Sequence, residues 1–565
     1  MTKMLVPALC RILTGSYCPP LRVRKINIMR SEMMNAFYRP SPLLKSMTGR
    51  CSKDINISIN RIRSRMLIFI LFLIPMILNA GNVFAEDAVS RAVVKVLTTK
   101  RSPDLSKPWT KQAPQEVSGS GVIIDGRQIL TNSHVIAYAD QIYIQPYQST
   151  EKISCKVIFQ APGVDLALLK PDDDSIFSQY PSLTLADYLP DIKSTINVYG
   201  YPIGGKELSV TEGIVSRIEY GKLFYDASGL IIQIDAALNA GNSGGAAVSN
   251  GKMAGIVCSK LVTAENIGYL IPAEEINIFL KDCADGRYDG QYTLQGVNLQ
   301  TAENDALRKR LGIVKETTGI MVNSVTNIDQ NFPLKPFDLI THIGSNAIDN
   351  EGNVRINENL RLSAGYLIPR TAKDGKVEMT VVRGGKAQKM NVPVSIESQN
   401  LIRFKGFKYP RYFIYGPLVF CEVPYIEMKQ LYNQENALLF FAATGSPIIS
   451  RMNDTVAFEG EELVGVFSPM FSHRITKGYN TKATGMGIVS HVNDVPVKNL
   501  VHLVEMLRDN KDQFVVFRFS NSQSERIVFD RQEIEAATEE ILSENGIRKQ
   551  YSDDLKAVWE HTLRP

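Results

Sequence analysis

The sequence predicts a mainly β protein, and two patterns support this prediction. From Asp87 to about Asp285, short runs of β-branched residues alternate with turns rich in Gly, Asn and Asp. Regularly spaced short strands of this kind favour an antiparallel barrel or sandwich. From about Gly286 strand-like segments continue in two further modules. The clearest strand candidates of the first region are residues 92–97, 141–144, 194–199, 230–234 and 253–258.

Length and charge limit the possible classes of protein. A chain of 565 residues predicts three or four domains. Its 44% hydrophobic and 21% charged residues are typical of folded protein. The net charge of +5 is uneven, because residues 1–65 hold 13 Lys and Arg against 2 Asp and Glu, which leaves the remainder negative. A basic surface for nucleic acid is therefore not expected.

The N-terminal segment has the layout of an export signal. Residues 66–78 are apolar, three arginines precede them at 61, 63 and 65, and Ala85 offers a cleavage site. We therefore predict a signal peptide over 66–85 and export, most simply to a bacterial periplasm. An uncleaved membrane anchor is the alternative, although a bilayer span needs roughly 20 residues. The basic leader over 1–65 indicates either a start codon placed too early or a transit peptide for a mitochondrion or plastid.

A candidate nucleophile lies in the string Gly-Asn-Ser-Gly-Gly at 241–245. A catalytic serine must lie on a tight turn whose backbone N–H groups face the oxygen that becomes negative during attack on a peptide. Glycines allow that turn. Ser243 is therefore the predicted nucleophile, with the N–H groups of Gly241 and Ser243, and Asn242 as a further option, forming the oxyanion hole.

The places of His134 and Asp165 in the sequence make them the candidate general base and its carboxylate partner. Of six histidines only His134 precedes residue 342, and it follows an apolar strand candidate. Asp165 opens an apolar run over 165–169, whereas Asp125, Asp140 and Asp172 lie in polar stretches that favour exposed turns. We expect His134 to take the serine proton and return it to the leaving amine through an acyl-enzyme, with the carboxylate orienting the imidazole.

These motifs resemble, in one order along the chain, the HtrA/Deg (Do-like) family of serine proteases. The matching blocks are 118–122, 131–135, 165–169, 200–205, 213–216 and 235–245. The resemblance runs from about Ala88 to Asp554 and implies a chymotrypsin-like double β-barrel followed by two PDZ-like domains. It also implies the triad His134, Asp165 and Ser243, trimer-based homo-oligomers and degradation of unfolded proteins without ATP. Residues 266–272 and the C-terminal region are most similar to the plant-type branch.

The resemblance also places two binding sites. Ala237, the sixth residue before the serine, would form the floor of the primary specificity pocket, and its lack of charge favours cleavage after small or medium aliphatic residues. Leu294, Gln295, Gly296 and Val297 would form the loop that receives a peptide carboxylate in the first PDZ-like domain. Glu212 and the short segment 97–117 depart from the family pattern, which leaves the mode of regulation open.

The predicted boundaries place the protease domain at 86–285, the PDZ-like domains at 286–398 and 399–535, and a tail at 536–565. In the second PDZ-like domain Asn499 is a predicted helix cap, followed by apolar residues at 500, 503, 504 and 507. The aromatic stretch 404–415 favours core packing or a subunit contact over nucleic-acid stacking.

No cofactor or metal is expected. Cys155, Cys258, Cys283 and Cys421 have the spacing of neither a metal site nor a disulfide framework, so free buried thiols are the default, with one disulfide possible. His491 and His502 are interpreted as structural. The expected partners are unfolded proteins or peptides. A non-proteolytic chaperone or peptide-binding scaffold is the rival function, against which the complete triad argues.

Overall fold

The computed structural model describes residues 88–225, 227–258, 267–326, 329, 331–432, 434–480, 487–520 and 525–561. The predicted leader over 1–65 and signal peptide over 66–85 lie outside these residues. Within them, no helix combines the length and the apolar character that a membrane crossing requires.

The first barrel is closed by six antiparallel strands in the order β1-β2-β3-β6-β5-β4. The strands are β1 (Val93–Lys100), β2 (Gln115–Ile124), β3 (Gln128–Thr131), β4 (Ala139–Gln145), β5 (Ile153–Ala161) and β6 (Leu166–Pro171). Val94, Val96, Ile123, Ile129 and Ile144 fill its interior and are almost wholly buried. A short helix α1 (Ile176–Gln179) follows β6.

The second barrel repeats this closure in the order β10-β11-β12-β9-β8-β7. Its strands are β7 (Thr195–Gly200), β8 (Ser209–Lys222), β9 (Ser228–Ile234), β10 (Ala246–Ser249), β11 (Lys252–Val257) and β12 (Gly268–Pro272), and helix α2 (Ala273–Asp282) follows. One core cluster contains Leu130 and Leu168 of the first barrel together with Met253 and Ile271 of the second. The two barrels therefore pack directly on each other.

The next sheet has the order β13-β14-β15-β19-β20, with β16 paired to β15 and a separate β17-β18 ribbon. The elements are β13 (Val297–Thr301), α3 (Asp305–Leu311), β14 (Ile320–Val325), β15 (Leu339–Ile343), β16 (Asn346–Ala347), β17 (Asn353–Arg355), β18 (Arg361–Ser363), α4 (Ile368–Thr371), β19 (Lys376–Arg383) and β20 (Lys386–Pro393). The predicted hairpin turning at Gly384 and Gly385 is confirmed, since Arg383 pairs with Lys386.

The C-terminal sheet has the order β21-β22-β23-β24-β26-β27, with β25 on β24. Its elements are β21 (Tyr412–Tyr415), β22 (Leu418–Glu422), α5 (Tyr425–Tyr432), α6 (Glu435–Ala443), α7 (Pro447–Ser450), β23 (Val464–Val466), β24 (Gly487–Val492), β25 (Val495–Pro496), α8 (Leu500–Arg508), β26 (Phe514–Phe519), β27 (Ile527–Asp530), α9 (Arg531–Glu544) and α10 (Lys556–Trp559). The predicted Asn499 cap is confirmed, because its side chain accepts from the His502 N–H at 2.8 Å.

The mainly β prediction, with a double barrel ahead of PDZ-type sheets, is confirmed. The domain limits remain predictions. Helix α9 crosses the proposed limit between 535 and 536, and the chain beyond it returns to β21, where the Ile414 N–H donates to the carbonyl of Gln550 at 2.8 Å. Residues after 535 therefore pack on the sheet that precedes them.

An ion-pair cluster joins the third sheet to the double barrel. Arg370 of α4 lies 2.6 Å from the carboxylate of Glu274 and 3.0 Å from that of Glu275, both on α2. Glu275 is fully buried and also accepts from the Leu230 N–H at 3.0 Å and from the side chain of Gln291 at 2.8 Å. Because a buried carboxylate requires such partners, this cluster fixes α4 against the protease domain.

The aromatic stretch 404–415 explains how the C-terminal module contacts the barrels. Phe404 stacks on Tyr225 of the β8–β9 loop, with ring centroids 3.9 Å apart, and Phe407 packs edge-on against Tyr138 at 5.3 Å. The hydroxyl of Tyr409 donates to the carbonyl of Arg101 at 2.8 Å. These contacts agree with the predicted packing role of the stretch.

Candidate functional site

Two loops at one end of the first barrel bring His134 and Asp165 together. His134 lies in a 3-10 helix (Ser133–Ile136) directly after β3, and Asp165 lies between a second 3-10 helix (Pro162–Val164) and β6. Strands β3 and β6 are antiparallel neighbours, with Thr131 opposite Ala167. The end of one strand and the start of the other are therefore adjacent, which the sequence alone does not show.

Both carboxylate oxygens of Asp165 contact His134. Oδ2 lies 2.7 Å from the ring Nδ1, and Oδ1 accepts from the backbone N–H of His134 at 2.9 Å. Asp165 is 1% exposed. An ionised carboxylate only accepts hydrogen bonds, so the proton of neutral His134 lies on Nδ1 and the lone pair on Nε2. The pair thus has the tautomer that a general base requires.

Asp165 adopts an unusual backbone conformation. Its φ of 54° lies in the left-handed region, which Asp and Asn tolerate better than most residues. Its carbonyl accepts from the Asn132 side chain at 3.0 Å and from the Ser133 N–H at 3.2 Å. The histidine loop therefore holds the aspartate by its backbone as well as by its carboxylate.

Ser243 lies on a tight turn that only glycine permits at two positions. Gly241 has φ 100°, and a Cβ there would meet the Tyr201 carbonyl oxygen at 2.5 Å. Gly244 has φ 87°, and a Cβ there would meet the Ser120 carbonyl oxygen at 1.9 Å. The turn is held against β2, because the Ser120 N–H donates to the Ser243 carbonyl at 2.8 Å and its hydroxyl to the Gly241 carbonyl at 2.8 Å.

The serine and histidine turns meet on the same residue of β2. A Cβ on Gly119 would lie 2.8 Å from the side chain of Val135, the neighbour of His134, and 3.2 Å from the carbonyl oxygen of Ser243. Ser243 itself is 4% exposed. The structure therefore brings the three predicted triad residues, which are far apart in the chain, into one region at the junction of the two barrels.

The turn before the serine distinguishes among the predicted oxyanion donors. The Asn242 N–H donates to the Asn239 carbonyl at 3.1 Å, and the positive φ of Gly241 at the third position is the pattern of a type II turn. The backbone N–H of Asn242, the optional further donor, is thus already hydrogen-bonded within the turn. Gly241 and Ser243 remain the predicted oxyanion donors.

The two predicted binding sites are less defined. Ala237 is exposed beside the buried Ala236, and its place at the floor of a specificity pocket remains a prediction. In the loop of the first PDZ-like sheet, Leu294 and Val297 pack against the core of that sheet. Gly296 accepts from the Thr326 N–H at 2.7 Å, and Gln295 accepts from the Gln399 N–H at 3.4 Å.

Sequence reasoning missed Cys258, which follows β11. Its thiol donates to Oδ2 of Asp165 at 3.2 Å, and the residue is 1% exposed. The apolar run over 253–258 gave no signal for a contact with a carboxylate 93 positions earlier. The other buried cysteines, Cys155, Cys283 and Cys421, are free thiols as expected, and burial raises the pKa of Cys155 to about 12.

Tyr225 links this site to the C-terminal module. Burial raises its pKa to about 12, and the negative charge of Asp165 adds to the shift. Ala227 of the same loop lies under the turn before the aspartate, since a Cβ on Gly163 would meet its Cβ at 2.8 Å. The ring that stacks on Phe404 therefore belongs to the loop that supports Asp165.

Comparisons with known proteins agree with this geometry. The model of the trypsin-like peptidase domain matches residues 119–256, and that of a PDZ domain matches residues 405–554. The chain is 32% identical over 473 residues to Protease Do-like 2, chloroplastic, of Arabidopsis thaliana, covering 82% of this chain and 75% of that protein. It is 31% identical over 471 residues to Protease Do-like 4, mitochondrial, of the same plant, covering 80% and 86%.

Among solved structures, the chain is similar to an HtrA-type protease AlgW with tripeptide, at 27% identity and a TM-score of 0.44, over 55% of this chain and 96% of that one. The relatives at 31% and 32% identity are matched over most of their length. The buried histidine–aspartate pair and the glycine-bounded serine turn are the parts that a serine endopeptidase requires. The chain belongs to the HtrA/Deg (Do-like) family of serine proteases.

Proposed function

We propose that His134, Asp165 and Ser243 form the catalytic triad of an endopeptidase that degrades unfolded or damaged proteins without ATP. The observation that carries the proposal is the double contact of the Asp165 carboxylate, at 2.7 Å to the ring and 2.9 Å to the backbone of His134. This contact orients the imidazole and leaves Nε2 to take the hydroxyl proton of Ser243. The same nitrogen then returns the proton to the leaving amine.

The N–H groups of Gly241 and Ser243 are the proposed donors to the oxyanion of the tetrahedral intermediate. Support comes from the turn conformation, in which Gly241 adopts a φ that disfavours any other residue. Each such donor is worth about a hundred- to a thousandfold in rate. A Ser120 hydrogen bond to each end of the turn holds these groups in place before substrate binds.

The proposed substrates are extended segments cleaved after small or medium aliphatic residues. An exposed Ala237 offers no charge to select Lys or Arg. A peptide end is proposed to add to the edge of β13, which within the described residues pairs with β14 alone. Beside it a cavity of about 210 Å³ is lined by Leu294 and Ile368, and by Tyr220 from the protease domain.

We further propose that the chain is exported and forms trimer-based homo-oligomers. A bacterial periplasm is the proposed compartment, and the names of the two plant relatives support the alternative of a plastid or mitochondrion. The N-terminal residue of the natural protein tests export directly: Glu86 is expected after signal removal. Retention of residues 66–85 would show an uncleaved anchor instead.

Casein turnover by purified protein tests the catalytic proposal. The parent chain is expected to degrade casein without ATP, and Ser243→Ala is expected to abolish this while circular dichroism and oligomer size stay unchanged. Ser178→Ala removes an exposed serine of α1 as the matched control and is expected to retain full activity. Equal turnover by Ser243→Ala and the parent would reject Ser243 as the nucleophile. No turnover by the parent would favour the rival function, a non-proteolytic chaperone or peptide-binding scaffold.

A further inference from the structure

A third side chain that can ligate a metal ion, the thiol of Cys258, lies beside the proposed catalytic pair of His134 and Asp165. Nδ1 of His134, a carboxylate oxygen of Asp165 and Sγ of Cys258 all lie within 4.8 Å of one another. Oδ2 is 2.7 Å from the ring nitrogen and 3.2 Å from the sulfur. Within the described part of the chain this is the sole grouping of three such side chains.

The ligand atoms match one class of cation. Imidazole nitrogen, thiolate sulfur and carboxylate oxygen are the three ligand types that Zn²⁺ takes in proteins, whereas Mg²⁺ requires oxygen ligands. A neutral His134, an ionised Asp165 and a thiolate at Cys258 together carry two negative charges. These two charges balance the +2 charge of the ion. The occupied site, in which Asp165 and Cys258 are each 1% exposed, therefore carries no net charge.

The two separations that involve Oδ2 of Asp165 require little movement, and Nδ1 and Sγ lie within 4.8 Å of each other. Ligands of a tetrahedral zinc ion, at about 2.0 Å for nitrogen or oxygen and about 2.3 Å for sulfur, lie roughly 3.3–3.6 Å from each other. The separation of 3.2 Å between Oδ2 and Sγ is close to this range. The Nδ1 to Oδ2 separation of 2.7 Å must open by roughly half an ångström, within the reach of a small side-chain rotation.

We propose that His134, Asp165 and Cys258 form an inhibitory Zn²⁺ site, with water as fourth ligand. Its inhibitory effect, but not its binding, rests on the function proposed above. On binding, the Cys258 thiol releases one proton to solvent, and the Nδ1 proton of His134 moves to Nε2 as Nδ1 bonds to the ion. Charge balances, since one proton is released and the carboxylate, thiolate and ion sum to zero.

Inhibition follows from this change of tautomer. With Nδ1 bonded to zinc, Nε2 of the neutral ring carries the proton and has no lone pair for the Ser243 hydroxyl. The nucleophile is then not activated. The ion would bind on the Nδ1 side of the ring, beside the buried Asp165.

Metal binding is tested first in full-length Ser243→Ala protein, where no activity is needed. We expect one Zn²⁺ per chain by equilibrium dialysis, and a sulfur-to-metal charge-transfer band in the near ultraviolet when Co²⁺ replaces it. Cys258→Ser keeps a donor to Asp165 but removes the sulfur; it is expected to lose the band and to weaken zinc binding by at least about tenfold. Cys283→Ser, another buried thiol, is the control and should change neither readout.

Inhibition is measured next in active protein, each variant against its own metal-free rate. Zn²⁺ is expected to block casein cleavage reversibly on addition of a chelator, with an inhibitory concentration at least about tenfold higher in Cys258→Ser. A band that persists in Cys258→Ser, or zinc inhibition of equal strength in both proteins, would overturn the proposal. If the parent protein cleaves no casein even in the absence of metal, the proposed function is refuted. The zinc-binding result would stand, because it does not depend on activity.

Discussion

Replacement of Asp165 by asparagine tests the source of the histidine tautomer. The change removes one charge and almost no volume, and Asn tolerates the left-handed conformation that Asp165 adopts at φ 54°. The fold should therefore survive. Because the residue is 1% exposed, no solvent replaces the lost carboxylate oxygen.

The structure fixes how the new amide must orient. The backbone N–H of His134 lies 2.9 Å from Oδ1 and can only donate, so the amide oxygen must stay there. The NH₂ group then faces Nδ1 at the 2.7 Å position and donates to it. The ring proton moves to Nε2, which loses its lone pair. A wrong tautomer of this kind lowers kcat by about 10⁴, or about 5.4 kcal/mol.

The assay is kcat and KM for a chromogenic peptide with an aliphatic residue before the cleaved bond. We expect kcat of Asp165→Asn to fall by about 10⁴ with KM little changed, since the substrate does not touch the buried aspartate. Asp140→Asn is the control, because Asp140 is exposed beside Lys111 at 3.2 Å. A loss in kcat below about tenfold would refute the assigned role.

Three other changes have defined outcomes. Gly244→Ala places a Cβ 1.9 Å from a carbonyl oxygen of β2, so casein cleavage should be lost and stability should fall by about 1–3 kcal/mol. Gly204→Ala has a similar positive φ, 85° against 87°, but its Cβ meets no atom within 4 Å, so it shares the backbone strain without the clash and should retain cleavage. Arg370→Met removes ion pairs of 2.6 and 3.0 Å and should cost about 3–5 kcal/mol in a urea titration; an unchanged midpoint would contradict the buried cluster. Burial alone would raise the pKa of Glu461, but the Arg451 hydrogen bond holds it below its usual value. This stabilisation is present above the unfolded pKa of about 4.5 and lost as pH falls through the folded value, so Arg451→Met should flatten the acid limb of stability measured between about pH 6 and 3.

Local pattern was sufficient for much of the secondary structure. The glycines at 384 and 385 between alternating apolar residues predict the observed hairpin of β19 and β20. The cap at Asn499 and the apolar spacing after it predict α8. The hairpin and the helix both depend on contacts between residues that are close together in the sequence.

The limits of sequence reasoning appear where distant segments meet. The limit predicted at 535 cuts α9, although the cap at Asp530 and the apolar spacing of Ile534, Ala537 and Ile541 favour a helix across it. Only the return of the chain to β21 depends on tertiary pairing. The contact of Cys258 with Asp165 arises because β11 of the second barrel packs beside the first barrel. An apolar run predicts that its residues are buried, but it does not identify the residues that they will contact.

The sequence by itself restricted the candidates for the proposed triad, because it contains a glycine-bounded serine, a single upstream histidine and an aspartate heading an apolar run. Tertiary structure alone decided their arrangement: which carboxylate oxygen lies at the ring nitrogen, and that the thiol of Cys258 contacts the same oxygen. The physical reason is that side-chain chemistry is carried by each residue, whereas distance and burial depend on how two closed barrels pack together.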